Sequence, residues 1–268
     1  VVTIVLGALA VLLTALAIAR EGREGADAAA LLAHIAGLQE ARLNDPAAAL
    51  IAWRQALAAD PTHKTALSEV ERLAASLQMW SELVDVYQEL AFRRDGADLM
   101  GRADLLSRAG RLYAGKIGNR RAAIDAWKMV LNLDPENITT TKPAADALEA
   151  LYADTGNVEA LVKILRMQVA WADSLAARRA ILFRIADLEE TALADTEAAV
   201  VTLRSILELD PTSTEALDQL ERIFQEGGQA RARVGILRRR IALAKDAEVR
   251  QELWRQFAAW LERDVGAA

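Results

Sequence analysis

The chain has 268 residues, a formal net charge of −6, two histidines and no cysteine. That balance disfavours a nucleic-acid footprint, and the lack of thiols excludes disulfides, thiolate nucleophiles and cysteine-ligated zinc. Apolar residues make up 53% but aromatics only 5%, with few prolines and glycines and much Ala and Leu, which is the composition of helices.

In chain order, residues 1–19 (VVTIVLGALAVLLTALAIA) carry no charge. As a helix the run is about 28 Å long, close to the hydrocarbon thickness of a bilayer. Three readings stand side by side. One is a membrane anchor flanked by Arg20 and Arg23. Another is the last helix of a truncated repeat, since LTALAIAREG (13–22) lies 74 residues before YQELAFRRDG (87–96). The third is a signal segment cleaved after Ala17-x-Ala19.

A helical segment, LLAHIAGLQEARLN (31–44), then leads into DPAAALIAWRQALAADP (45–61). A second hairpin follows, HKTALSEVERLAASLQ (63–78) and MWSELVDVYQELAFRR (79–94). The same four segments return at 105–118, 119–135, 143–156 and 157–172, and again at 181–194, 195–211, 213–228 and 229–244. The expected division is an apolar helix at 1–19, repeat units at 20–95, 96–172 and 173–246, and a terminal or capping helix at 247–268. That last helix, EVRQELWRQFAAWLERDVG (248–266), has the pattern of the first helix of a fourth unit. NITTTKP (137–143) gives the second unit about four extra residues, read as a longer loop with Pro143 in the first turn of the next helix and Thr141 near its cap.

The anchor of each unit is the segment ending in Asp-Pro: AWRQALAADP (52–61), AWKMVLNLDP (126–135) and TLRSILELDP (202–211). Matched positions Ala49/Trp53/Ala56, Ala123/Trp127/Val130 and Ala199/Leu203/Ile206 are spaced four and then three, so each set lies on one helical stripe. Proline five residues later forbids continuation. Each helix pair exposes an apolar face that it buries only by stacking on its neighbour, with Trp53, Trp127 and Tyr87 filling the gaps between pairs.

These positions resemble the second-helix signature of the tetratricopeptide repeat (TPR), small–x3–aromatic–x2–small–x4–Pro, met by Ala49, Trp53, Ala56 and Pro61, with Gly118 at the small inter-helix turn position. The similarity spans about 31–244 and is divergent: of the first-helix positions only Gly37 is kept, and the period runs slightly above the family's 34. The resemblance implies an all-α, right-handed superhelical solenoid of antiparallel helix pairs whose first helices line a concave side.

His34 and His63 have no motif around them, and no metalloprotease, phosphate-loop, dinucleotide or calcium-loop pattern occurs. The expectation is therefore no enzyme, no cofactor and no metal, but a protein-interaction scaffold. Carried over from the family, the inward positions are His34, Arg42, Ser68 and Arg72 in the first unit. The second gives Arg108, Lys116, Asp146 and Asp154, and the third Arg184, Asp218, Arg222 and Glu226. The basic half of this set suits an acidic protein segment or a free C-terminus; the opposing reading is that these arginines pair along their own helices or face water. Arg231, Arg233 and Arg238–Arg240 form a further basic stripe. The alternative function is a membrane-tethered assembly factor or complex subunit anchored by residues 1–19, which would place the protein at a membrane rather than in the cytoplasm. Either way the chain is expected to belong to a larger complex or a longer chain.

Overall fold

The computed structural model describes residues 25–264, and every regular element among them is helical. The apolar run 1–19, with its three readings, lies outside the described residues. Among those described, no helix is long and apolar enough to cross a membrane.

The chain divides into two compact units at Ala144. The first holds α1 (Ala26–Leu43), α2 (Pro46–Ala59), α3 (Lys64–Leu77), α4 (Trp80–Arg93), α5 (Leu99–Leu112) and α6 (Arg120–Leu133). A single π turn, Tyr113–Ile117, extends α5. Helix α7 (Ile138–Thr155) contains the division. The second unit continues with α8 (Val158–Trp171), α9 (Leu175–Thr191), α10 (Thr196–Leu209), α11 (Thr214–Glu226), α12 (Ala230–Leu243) and α13 (Ala247–Asp264).

Side chains fix where these helices begin. Asp45, His63, Asp98, Asn119, Asn157, Ser174, Asp195 and Ser213 each accept a hydrogen bond from the backbone N–H three residues on, at 2.9–3.5 Å. Each such cap stabilises its helix by about 1 kcal/mol. One of the two histidines is thereby accounted for: Nδ1 of His63 accepts from Ala66.

Helix ends repeat as faithfully. Asn44, Gly118 and Ala194 occupy the same turn in three copies, and all three have left-handed backbone, φ 53°, 73° and 53°. In each, the next residue's N–H reaches back six positions, Asp45 to Gln39, Asn119 to Tyr113 and Asp195 to Glu189. The second hairpin turns on Gln78, Gly156 and Gly228, also left-handed, and there the next residue's N–H reaches back five positions. Beyond α2 and α10, Oδ1 of Asp60 and of Asp210 accepts from both the N–H and the hydroxyl of the threonine two residues on. Those bonds hold both carboxyls below the usual range. Asp60 and Asp210 are thus turn-forming groups.

The matched stripes are the core. Ala49, Trp53 and Ala56, Ala123, Trp127 and Val130, and Ala199, Leu203 and Ile206 are all buried, each set against the helix before it. Between α5 and α6 the approach is close: a Cβ on Gly110 would lie 2.8 Å from the Trp127 ring. Fully burying one such aromatic contributes roughly 2–3 kcal/mol. Within each unit the fold is an all-α solenoid of helix pairs.

One expectation is corrected. NITTTKP adds about one turn of helix rather than a loop: α7 starts at Ile138 and Pro143 lies inside it. Asn137 makes this possible by taking the hydroxyls of Thr140 and Thr141 on its carbonyl, at 3.0 and 2.8 Å, while its side chain accepts from the N–H of Thr139. Pro143 then forfeits a single backbone bond close to a well-anchored helix start.

Two substitutions test this packing by urea unfolding. Ala194→Gly relieves a left-handed alanine and raises stability by about 1 kcal/mol. Gly110→Val drives methyls into Trp127 and lowers it by about 2 kcal/mol.

Candidate interaction surface

The first helices of successive pairs are joined by arginines. Arg72 on α3 donates to Glu40 on α1 and to Glu69 on its own helix, each at 2.6 Å. Arg108 on α5 donates to Glu71 on α3 at 2.7 Å and to Asp104 at 2.9 Å. In the second unit Arg184 on α9 pairs with Glu149 on α7. There too Arg222 on α11 grips both oxygens of Glu190 on α9, at 2.7 Å each, and reaches Glu226. Four of the eight candidate cationic or polar positions are thus already neutralised by carboxylates one repeat earlier. Donating hydrogen bonds to Glu40 and Glu69 makes the Arg72 guanidinium hold its proton more tightly, and the bonds to Glu190 do the same for Arg222. Burial acts to raise the Glu149 carboxyl, but the Gln168 and Arg184 bonds outweigh it and leave the group below its ordinary value.

The remaining positions diverge. Ser68 spends its hydroxyl on the Thr65 carbonyl. His34 and Arg42 are exposed on α1. Asp146 accepts from Gln168 and Asp218 pairs with Arg240. The basic stripe of α12 is largely structural. Arg233 and Arg240 hold Glu221, and Arg239 donates to the carbonyls of Leu207 and Pro211, while Arg231 and Arg238 face solvent.

Arg108 and Lys116 do come together, in a groove of about 610 Å³ within the first unit. Trp80, Leu83 and Tyr87 of α4 form one wall; Asp104, Arg108, Arg111 and Leu112 of α5, with Gly115 and Lys116 of the π turn, form the other, the Asp104 carboxylate being taken up by Arg108. At its base Glu71 accepts from the Tyr87 hydroxyl at 2.8 Å and from Arg108. Burial and that bond push the Tyr87 phenol up, so it stays a donor. The π turn carries Lys116 to 5.4 Å over the Trp80 ring, and Arg111 lies 6.0 Å over Trp127. Among the described residues neither cation has a carboxylate partner. Trp80 and Arg111 escaped the sequence reading, although Arg111 follows Arg108 by one helical turn. No group of side chains suited to a metal ion occurs among the described residues.

No family model matches the chain, and no curated protein matches it. Solved structures with similar coordinates include BtubC (BKLC) from P. vanneervenii, 13% identical over 87% of this chain and 90% of that one, TM-score 0.36. Another is a tetratricopeptide repeat protein from Parabacteroides merdae, 16% identical over 94% and 93%, TM-score 0.34.

The depressed Glu149 carboxyl sets a pH dependence. Its contribution is present above its ordinary value of 4.5 and is lost as pH falls through the lower folded value. Urea midpoints measured from about pH 7 to about pH 3 should therefore fall at the acid end, and Glu149→Gln should make that fall shallower.

Proposed function

We propose that the chain is a non-catalytic protein-interaction scaffold whose groove between α4 and α5 receives an extended acidic segment or a free C-terminal carboxylate. The observation that carries this is that two cations without a carboxylate partner, Lys116 and Arg111, line one groove with the partly exposed Trp80 ring, which Lys116 overlies at 5.4 Å. Trp80, which is partly exposed, offers apolar area to a side chain, and the two cations offer charge-assisted hydrogen bonds to a carboxylate. The arginine bridges Arg72–Glu40 and Arg108–Glu71 hold α1, α3 and α5 in register, so the groove is organised before a partner arrives. Of the histidines, His63 caps α3 and His34 is exposed.

Reversing Arg72 and Arg108 is a poor probe, because each new carboxylate would face Glu40, Glu69, Glu71 or Asp104. The cleaner pair is Arg111→Glu with Lys116→Glu, assayed by fluorescence polarisation against a library of acidic and free-C-terminal peptides. The double variant should bind the selected peptides at least about tenfold more weakly, a change of roughly 1.4 kcal/mol. Arg231→Glu with Arg238→Glu should bind them as the parent does. Equal affinity in all three proteins would remove the groove from the account.

A further inference from the structure

One exposed face of α2 is apolar where its two matched helices are charged. Positions 47, 51 and 58, spaced four and then seven, share that face. On α2 they hold Ala47, Ile51 and Ala58; on α6 the matched residues are Arg121, Asp125 and Asn132, and on α10 Glu197, Val201 and Glu208. All nine are exposed. Exposure of this face is therefore a property of the repeat, met in mid-chain by α6 and α10. What is particular to α2 is that its three positions carry no polar side chain, with Ile51 58% exposed.

That face borders a groove of about 250 Å³ between α2 and α4. Leu57 and Ala58 on one side and Val86 and Leu90 on the other give it an apolar lining. Both helices are held by described neighbours, α2 by α1 and α3, α4 by α3 and α5. Arg93 of α4 also donates to the Ala58 carbonyl at 3.0 Å, which ties the two walls together at one end. Two charged groups stand in the lining. Glu89 is answered by Arg93 at 3.4 Å, whereas Arg54 has no carboxylate partner among the described residues. The groove thus combines an apolar channel with one unanswered positive charge.

We propose that this groove receives an amphipathic helix of a partner protein, with aliphatic side chains between α2 and α4 and a carboxylate on Arg54. Charge complementarity sets the sign of the occupant: an acid gains a charge-assisted hydrogen bond to Arg54, while a base would be repelled by it. Size sets its kind. At about 250 Å³ the groove lies below the ~300–1,000 Å³ of pockets that enclose a whole small molecule, and it suits side chains. Length sets its form, because positions 47 to 58 span roughly 16 Å of helix, about three turns, the footprint of anchors recurring every three or four residues. The site uses Val86, Glu89 and Leu90, a different face of α4 from Trp80 and Tyr87, and does not rest on the groove between α4 and α5.

The test uses the full chain and a fluorescein-labelled helical peptide of about fifteen residues, stapled because a free helix of that length is marginal in water. One face of the peptide carries three leucines, spaced four and then three and flanked by glutamates. Anisotropy should show saturable binding. Ile51→Asp and Arg54→Glu should each weaken it at least about tenfold, which is roughly 1.4 kcal/mol. Neither substitution touches the buried stripe of α2, and unchanged circular dichroism checks that the variants fold. Lysines in place of the peptide's glutamates should reverse the preference, so that this form binds the Arg54→Glu chain more tightly than the parent. Arg111→Glu with Lys116→Glu should leave the affinity as it was, which lets the two grooves stand or fall separately. Absence of saturable binding would overturn the proposal, as would binding that survives Ile51→Asp or Arg54→Glu. Self-association of the chain that Ile51→Asp abolishes, with no peptide bound, would overturn it too by assigning the face to a second copy.

Discussion

Everything in this fold follows from how closely two helices of a pair must approach. Gly110 leaves room for Trp127 where even one added methyl would collide, and the alanines at 49, 123 and 199 are fully buried in the matched helices. Most helices here are only fourteen residues long, too short to persist alone. Packing a large side chain against a small one buries enough area to fix the pair, and the side-chain caps and left-handed turns then set where each helix starts and stops. Because the same turn and the same stripe recur, each added pair meets the previous one through the same kind of surface.

That regularity has an electrostatic counterpart. Arg72, Arg108, Arg184 and Arg222 each reach a carboxylate 32 to 37 residues earlier, about one repeat back. Exposed pairs of this kind contribute little stability singly, between 0 and about 1 kcal/mol. Their larger effect is positional, since a bidentate or forked arginine fixes the offset between neighbouring first helices. It also distinguishes framework charge from available charge. Lys116 and Arg111 rest on rings instead of carboxylates, and they are the cations that line the groove together with Trp80 and Tyr87.

Much of this was legible in the residues. The Asp-Pro anchors and their four-then-three stripes marked the buried faces because three aligned copies agreed, and the closing helix was readable as a fourth first helix. Other features were not. Asn44 and Ala194 share the backbone of Gly118; glycine and asparagine suit a left-handed turn, but the alanine gives no sign of one. Pro143 read as a helix start because proline is usual there, and the threonine hydroxyls that allow it further in are a tertiary detail. The arginines expected to point inward were named, yet their carboxylate partners were not, since a pair one period apart looks like two unrelated charges in a linear reading. The π turn at 113–117, which aims Lys116, has no sequence signature at all.

The central claim, that each helix pair is stabilised by its immediate neighbours, is most directly tested by native-state hydrogen exchange on Trp127→Ala. Removing that ring should cost about 3–5 kcal/mol locally. Amide protection should drop in α5 and α6, and less in α4, while α12 and α13 exchange at parental rates. A uniform loss of protection from α1 to α13 would contradict nearest-neighbour stabilisation and indicate one shared core.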